Sequence, residues 1–169
     1  MNVDFKERIP PGFANESRVW IYQSDRAFDD IETCEIEKTV RAFASGWTSH
    51  RAKVKGFAGL FFERFLIFMA DETATGVSGC STDESVRVVK SIEKEFRISF
   101  FERKNLAFVG PDKIKIIALD QLDVAFETGK LQPDTLYFNN TVLTKKELLE
   151  KWIVPIYKSW LVKKILPGS

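Results

Sequence analysis

Cys80, His50 and Asp71 are the residues of this chain whose types suit covalent catalysis: a thiol to attack, an imidazole to take its proton and a carboxylate to orient the imidazole. Cys80 stands in the stretch V-S-G-C-S-T-D-E-S-V-R at residues 77–87, between a glycine and a run of helix-capping residues. A thiol at a helix N-terminus has its thiolate stabilised by the dipole and by free N–H groups. The same setting suits an anion. Ser78, Gly79, Cys80, Ser81 and Thr82 offer backbone donors and hydroxyls to a phosphate or carboxylate, with Arg51 and Lys53 supplying charge. A plainer account competes with both: Ser81 with Glu84 makes an ordinary capping box, Gly79 permits a tight entry, and cysteine is a common small buried residue.

These side chains need elements to bring them together. R-V-W-I-Y-Q at residues 18–23 is β-branched and aromatic and predicts a first strand. Asp29 with Glu32 three residues on predicts a helix start, and Ile36, Val40, Phe43 and Trp47 form its stripe, ending near His50. Residues 53–70 hold two strands, turned at residues 62–64 or, as an alternative, at the glycines of residues 56–59. Val89, Ile92 and Phe96 mark a second helix with Ser81 as its cap, and residues 100–108 and 114–118 supply a fourth and fifth strand. The order strand, helix, strand, strand, helix, strand predicts an α+β fold of the ferredoxin-like split βαβ kind, an antiparallel sheet with two helices on one face. That topology puts the end of helix one beside the start of helix two, so His50, Asp71 and Cys80 fall at one end of the domain.

Residues 1–17, with Pro10, Pro11 and Gly12, read as an arm, residues 18–118 as the core, and residues 119–169 as a helical C-terminal extension packed on it. In that extension residues 119–128 read as a short helix closed by Gly129, residues 133–138 as extended, and T-K-K-E at residues 144–147 as the cap of a terminal helix interrupted at Pro155. F-L-I-F-M-A at residues 65–70 is apolar on both faces. The two helices bury one of those faces only, which predicts a cover for Phe65, Ile67 and Met69 or for Leu66, Phe68 and Ala70. Leu148, Trp152, Trp160 and Leu161 are the expected anchors of an intramolecular cover, with a second copy of the chain as the alternative.

Composition sets bounds. The 169 residues, 44% hydrophobic and 29% charged, suffice for one substantial core. A formal net charge of +1 provides no overall field for nucleic acid or anionic lipid. The N-terminus lacks an apolar run after its charges, and residues 57–70 are too short and too charged to span a bilayer, so the expectation is a cytoplasmic protein without signal peptide or membrane anchor. Two cysteines and one histidine fit a reducing compartment and predict neither a disulfide framework nor a metal site. No cofactor is expected: neither G-x-x-x-x-G-K-[ST] nor G-x-G-x-x-G occurs. K-G-F-A-G-L-F-F at residues 55–62 nearly matches an RNA-recognition strand, but it follows helix one too closely, and Gly59 stands where the signature has an aromatic.

Over nearly its whole length the chain resembles a family of small bacterial proteins often named ABC transporter ATPases. The resemblance rests on R-V-W-I-Y-Q-S-D-R at residues 18–26, W-T-S-H ending at His50, S-G-C-S-T-D-E-S-V-R at residues 78–87, F-R-I-S-F-F-E-R at residues 96–103 and P-D-T-L-Y-F-N-N at residues 133–140. It implies no transferable activity, and the ATPase label is set aside because the phosphate-binding loop is missing. Residues 118–138 are also similar to the short helix, G-x-L-x-P-D-T and strand of GYF-like peptide-binding modules, which implies a protein-interaction role. The expected function is therefore binding of a small anion or a protein partner at the Cys80 helix start, by a monomer or weak homodimer. A thiol enzyme with Cys80 as nucleophile, His50 as base and Asp71 as orienter is the alternative, and RNA binding through the sheet aromatics comes third.

Overall fold

The computed structural model describes residues 1–49, 52–73 and 79–165. Three strands form the first sheet: β1 (Arg18–Gln23), β4 (Lys55–Phe61) and β5 (Phe65–Asp71), antiparallel in the order β1-β5-β4. Every residue of β5 is buried, as a strand apolar on both faces requires when each face is covered. The β4–β5 turn lies at residues 62–64. Arg64 N–H donates to Phe61 O at 3.1 Å, and the two residues between them, Phe62 and Glu63, have φ of 52° and 47°. That is the type I′ geometry whose twist matches a hairpin, adopted here without glycine. The strain is offset by ties to the chain before α1: Ser24 N–H donates to Arg64 O, Phe28 N–H to Glu63 O, and the buried Arg64 Nη1 to Ser24 O at 3.0 Å.

α1 (Asp30–Gly46) begins at the expected capping box, with Glu32 N–H donating to Asp29 Oδ1 at 2.8 Å and Asp29 N–H to Glu32 Oε2 at 3.1 Å. Ile36, Val40 and Ala44 are its buried stripe. The helix stops at Gly46, short of His50. Trp47 O accepts from Val54 N–H at 2.9 Å, and Thr48–Ser49 (β2) pairs with Ala52–Lys53 (β3) in a small hairpin. α2 (Gly79–Phe96) starts two residues ahead of Ser81, so Ser81 lies inside the helix and is not its cap. Val89 and Ile92 join the α1 stripe over Leu66 and Phe68 of β5.

The fourth strand departs from expectation. β6 (Asn105–Val109) does not pair with β1; it sits in a second antiparallel sheet with β7 (Ile114–Ala118), β8 (Leu136–Phe138) and β9 (Ile153–Pro155), in the order β7-β6-β8-β9. Asp25 N–H is bonded to Ser99 O, so the chain after α2 crosses the end of β1 rather than running along it. Residues 119–169, expected as a helical extension with residues 133–138 extended, supply α3 (Leu122–Glu127), α4 (Lys145–Lys151) and α5 (Val162–Ile165), β8 within the extended stretch, and β9, which was not expected. The molecule is thus a mixed α+β fold with two main antiparallel sheets. No helix among the described residues is long and apolar enough to cross a membrane.

Phe65, Ile67 and Met69 are covered from within the chain. Leu148 and Trp152 pack on them as expected, joined by Ala107 and Phe138 of the second sheet and by Phe5 and Ile9 of the N-terminal arm. The Trp152 ring lies 4.7 Å from that of Phe5, 5.4 Å from Phe65 and 5.6 Å from Phe138. Lys145 Nζ fastens the arm by donating to Pro11 O and Phe13 O at 3.0 and 2.7 Å. Leu161 packs elsewhere, under the second sheet with Leu106 and Phe108, while Trp160 stays partly exposed.

Candidate functional site

The sequence-derived site is only partly described. His50, Arg51 and Ser78 lie outside the described residues, as do the side chains of Cys80 and Ser81; the backbones of Gly79, Cys80 and Ser81 form the first turn of α2. Lys53 is exposed on β3, and Thr82 is half-buried with its carbonyl accepting from Ser85 Oγ at 2.7 Å. Asp71, 4% exposed, is fully engaged: it accepts from Thr73 Oγ1 at 2.7 Å, Thr73 N–H at 3.1 Å, Lys55 Nζ at 3.1 Å and Ala14 N–H at 3.2 Å. The Thr73 hydroxyl and amide, then Lys55 and Ala14, hold its carboxyl well below the usual carboxylate range against the opposing effect of burial. A carboxylate has about four acceptor sites, so these donors leave Asp71 little capacity to orient an imidazole. Its evident work is to tie the arm to β5. Among the described residues no group of histidine, cysteine and carboxylates could hold a metal ion.

Of the aromatics of residues 55–62, Phe61 is buried against Trp152 and Phe57 half-buried against Phe61.

A different place has the shape of a binding site. Among the described residues β5 is the only strand neighbour of β1, which leaves β1 an edge strand. Alternation turns the N–H and C=O of Val19, Ile21 and Gln23 away from β5. Val19 N–H is taken by Leu143 O at 2.9 Å, next to an antiparallel bridge between Arg18 and Thr144. Past that first rung the chain leaves the strand. Residues 139–142 turn back on themselves, with Asn140 N–H donating to Phe138 O and Val142 N–H to Asn139 O, and the outward groups of Ile21 and Gln23 are left facing a cleft of about 460 Å³.

The walls of this cleft are apolar. Phe101 on one side, and Leu143 and Trp160 on the other, are three of the chain's exposed large hydrophobic residues, at 38%, 67% and 37%. Tyr22 meets Phe101 edge to face at 5.6 Å. Burial raises the Tyr22 phenol, a Ser85 hydrogen bond and Arg103 opposing it, and burial pushes Tyr137 up to about 12 against its bond with Trp160. Both phenols are therefore neutral at pH 7. Glu102 and Arg103, of opposite sign, are the charged lining residues.

The floor is fixed by a relay of amides: Trp152 Nε1 donates to Asn140 Oδ1 at 3.0 Å, Asn140 Nδ2 to Gln23 Oε1 at 2.9 Å, and Gln23 Nε2 to Asn105 O at 2.9 Å. Buried amides are costly unless paired, and this relay ties β1 to β6 and to the loop after β8. Sequence reasoning passed over it. The available signal was Gln23 on the same strand face as Val19 and Ile21, a position that calls for a polar partner once that face is covered.

No protein-family model, no curated protein and no solved structure matches the chain.

Proposed function

We propose that the chain is a non-catalytic binding protein that takes an extended segment of a protein partner along the free edge of β1. The observation that carries this reading is an unpaired strand edge at Ile21 and Gln23 opening into an apolar cleft. Natural proteins usually cover, charge or shorten such edges, and strand addition is a common way of using one for recognition. Backbone pairing would supply affinity, and the pockets beside Phe101 and Trp160 would select alternate side chains.

The fold reading points the same way. We read β1, α1, β4, β5 and α2 as a ferredoxin-like split βαβ unit whose fourth strand is missing from its place beside β1. The order β1-β5-β4 supports this, and the vacant place is the cleft. A partner strand there, antiparallel to β1, continues the rung that Leu143 and Thr144 begin. The protein-partner expectation is thus kept and moved from the start of α2 to the edge of β1, because no second feature among the described residues near Gly79 and Thr82 would hold a ligand.

Peptides selected from a random library on the immobilised chain test the reading. The amides of Ile21 and Gln23 are expected to exchange quickly in the free protein, and bound peptide should slow them. Selected peptides that leave those two amides unprotected would refute it.

A further inference from the structure

The opposite edge of the same sheet carries a site of different chemistry. A cleft of about 490 Å³ lies beside β4, with Arg8 and Arg41 as its charged lining residues. Glu37 bridges the two: Oε1 accepts from Arg8 Nη2 at 2.9 Å and Oε2 from Arg41 Nη2 at 3.0 Å. Arg8 is held further by donating to Leu60 O at 2.8 Å and by stacking over the Phe61 ring at 4.3 Å. A guanidinium has five N–H donors; Arg8 spends both hydrogens of Nη2 on Glu37 and Leu60 and keeps its Nη1 and Nε donors, while Arg41 gives one Nη2 hydrogen to Glu37 and keeps a fork for a ligand. The arginines are placed before any ligand arrives, and the net charge of the cluster stays positive.

The strand adds donors of its own. The β4–β5 register turns Gly56, Ala58 and Leu60 outward from β5, as the Leu60 O bond to Arg8 confirms, so the N–H groups of Gly56 and Ala58 face the same cleft. Gly56 has to be glycine, because a Cβ there would meet the Trp47 ring at 2.8 Å. Without a side chain its amide stays open to approach.

We propose that this cleft binds a phosphate group, gripped by the Arg41 fork, by the remaining Arg8 donors and by the strand-edge amides. A single carboxylate is satisfied by one fork; a tetrahedral anion with three free oxygens can use the Arg41 fork, an Arg8 donor and an amide together. The two arginines and Glu37 sum to +1, which a phosphate monoester complements. The volume exceeds that of the phosphate alone and falls in the usual range for small-molecule sites, leaving room for an organic part.

Calorimetric titration of the full chain with inorganic phosphate and with glycerol phosphate tests this, with acetate as the planar control. Saturable binding of either phosphate is expected, weakened about tenfold or more in Arg41→Ala, with smaller loss in Arg41→Lys, which keeps the charge without the fork. Arg41 is 66% exposed in its side chain, so neither variant threatens the fold. Tighter binding of glycerol phosphate assigns the site to an organic phosphate, and tighter binding of inorganic phosphate to the free anion. No saturable binding of either probe, equal binding by wild type and Arg41→Ala, or acetate binding as tightly as phosphate would overturn the proposal.

Discussion

The two edges of the first sheet are finished in opposite ways. At β4 the edge is guarded by charge: Arg8 takes Leu60 O, and Arg41 stands beside it on the last turns of α1. At β1 the edge is guarded by the chain itself, through Leu143 and Thr144, for one rung only, and beyond that it is apolar and near neutral. Fixed charge keeps another backbone from docking and invites an anion. A half-covered apolar edge does the reverse, since nothing in it opposes a peptide and much of its surface gains from losing water. On the two proposals, the contrast matches a small polar ligand at one edge and a polypeptide at the other.

The largest way to break this contrast is Trp152→Ala. Trp152 is the ring against which Phe5, Phe65 and Phe138 pack, and its indole N–H starts the amide relay under the β1 cleft. A loss of about 3–5 kcal/mol is expected in urea unfolding, as for other large buried rings. The β1 cleft should suffer more than the α1 face, whose stripe packs on the other side of β5. A loss below about 1 kcal/mol would show that the arm and second sheet are not held by this ring.

Asp71→Asn comes next. It keeps one acceptor but loses the charge that Lys55, Thr73 and Ala14 bind, at a cost of about 1.5–3 kcal/mol near neutral pH. The pH dependence has a definite sign. The folded carboxyl titrates below its unfolded value of about 4, so its contribution is complete above that value and is lost as pH falls below it. Wild type and variant should therefore converge in stability as pH drops from about 4 toward 2. Parallel stability curves over that window would remove Asp71 from the latch.

How much of this was legible in the sequence follows from element length. α1, with its capping box and stripe, and the turn at residues 62–64 carried enough local pattern to be placed, and two-faced apolarity in β5 called for a cover. β6, β7 and the extended stretch that holds β8 were legible as such, but their joining in a separate sheet was not, and β9, three residues long, is too short to show alternation. Pro155 misled as well: read as a helix interruption, it closes β9, an edge strand where a missing N–H is tolerated. The β1 cleft depends on a strand that fails to pair, a tertiary fact with no local pattern. The Cys80 stretch drew attention because its residue types are reactive, yet residue type alone says nothing about neighbours.

Ile21→Pro sharpens the comparison at smaller cost. Its N–H faces away from β5, so proline removes no ladder bond and the loss is the partial packing of one side chain, on the order of 1 kcal/mol. Ile67→Pro, in the central strand, removes the N–H that pairs with Gly59 and should cost 3 kcal/mol or roughly more. Selected peptides should lose affinity for Ile21→Pro although it stays folded. Equal destabilisation by the two prolines in thermal melts would mean that Ile21 N–H already has a partner, and that the β1 edge is closed.

The smallest effect belongs to the other edge. Arg41 forms an (i, i+4) pair with Glu37 on the surface of α1, and such exposed pairs contribute about 0.3–0.5 kcal/mol. Arg41→Ala should lower the urea midpoint by little at low salt and by still less at about 1 M salt, where the pair is screened. Peptide binding at β1 should be unchanged, since α1 packs on the far side of the sheet from the Gln23 relay. This near-silence is what separates the edges: a ligand-binding arginine is retained for what it holds, a structural one for what it stabilises. A salt-independent loss above about 1 kcal/mol would place Arg41, with Glu37 and Arg8, among the ties that close the β4 edge, and the two edges would then differ in their charge but not in their purpose.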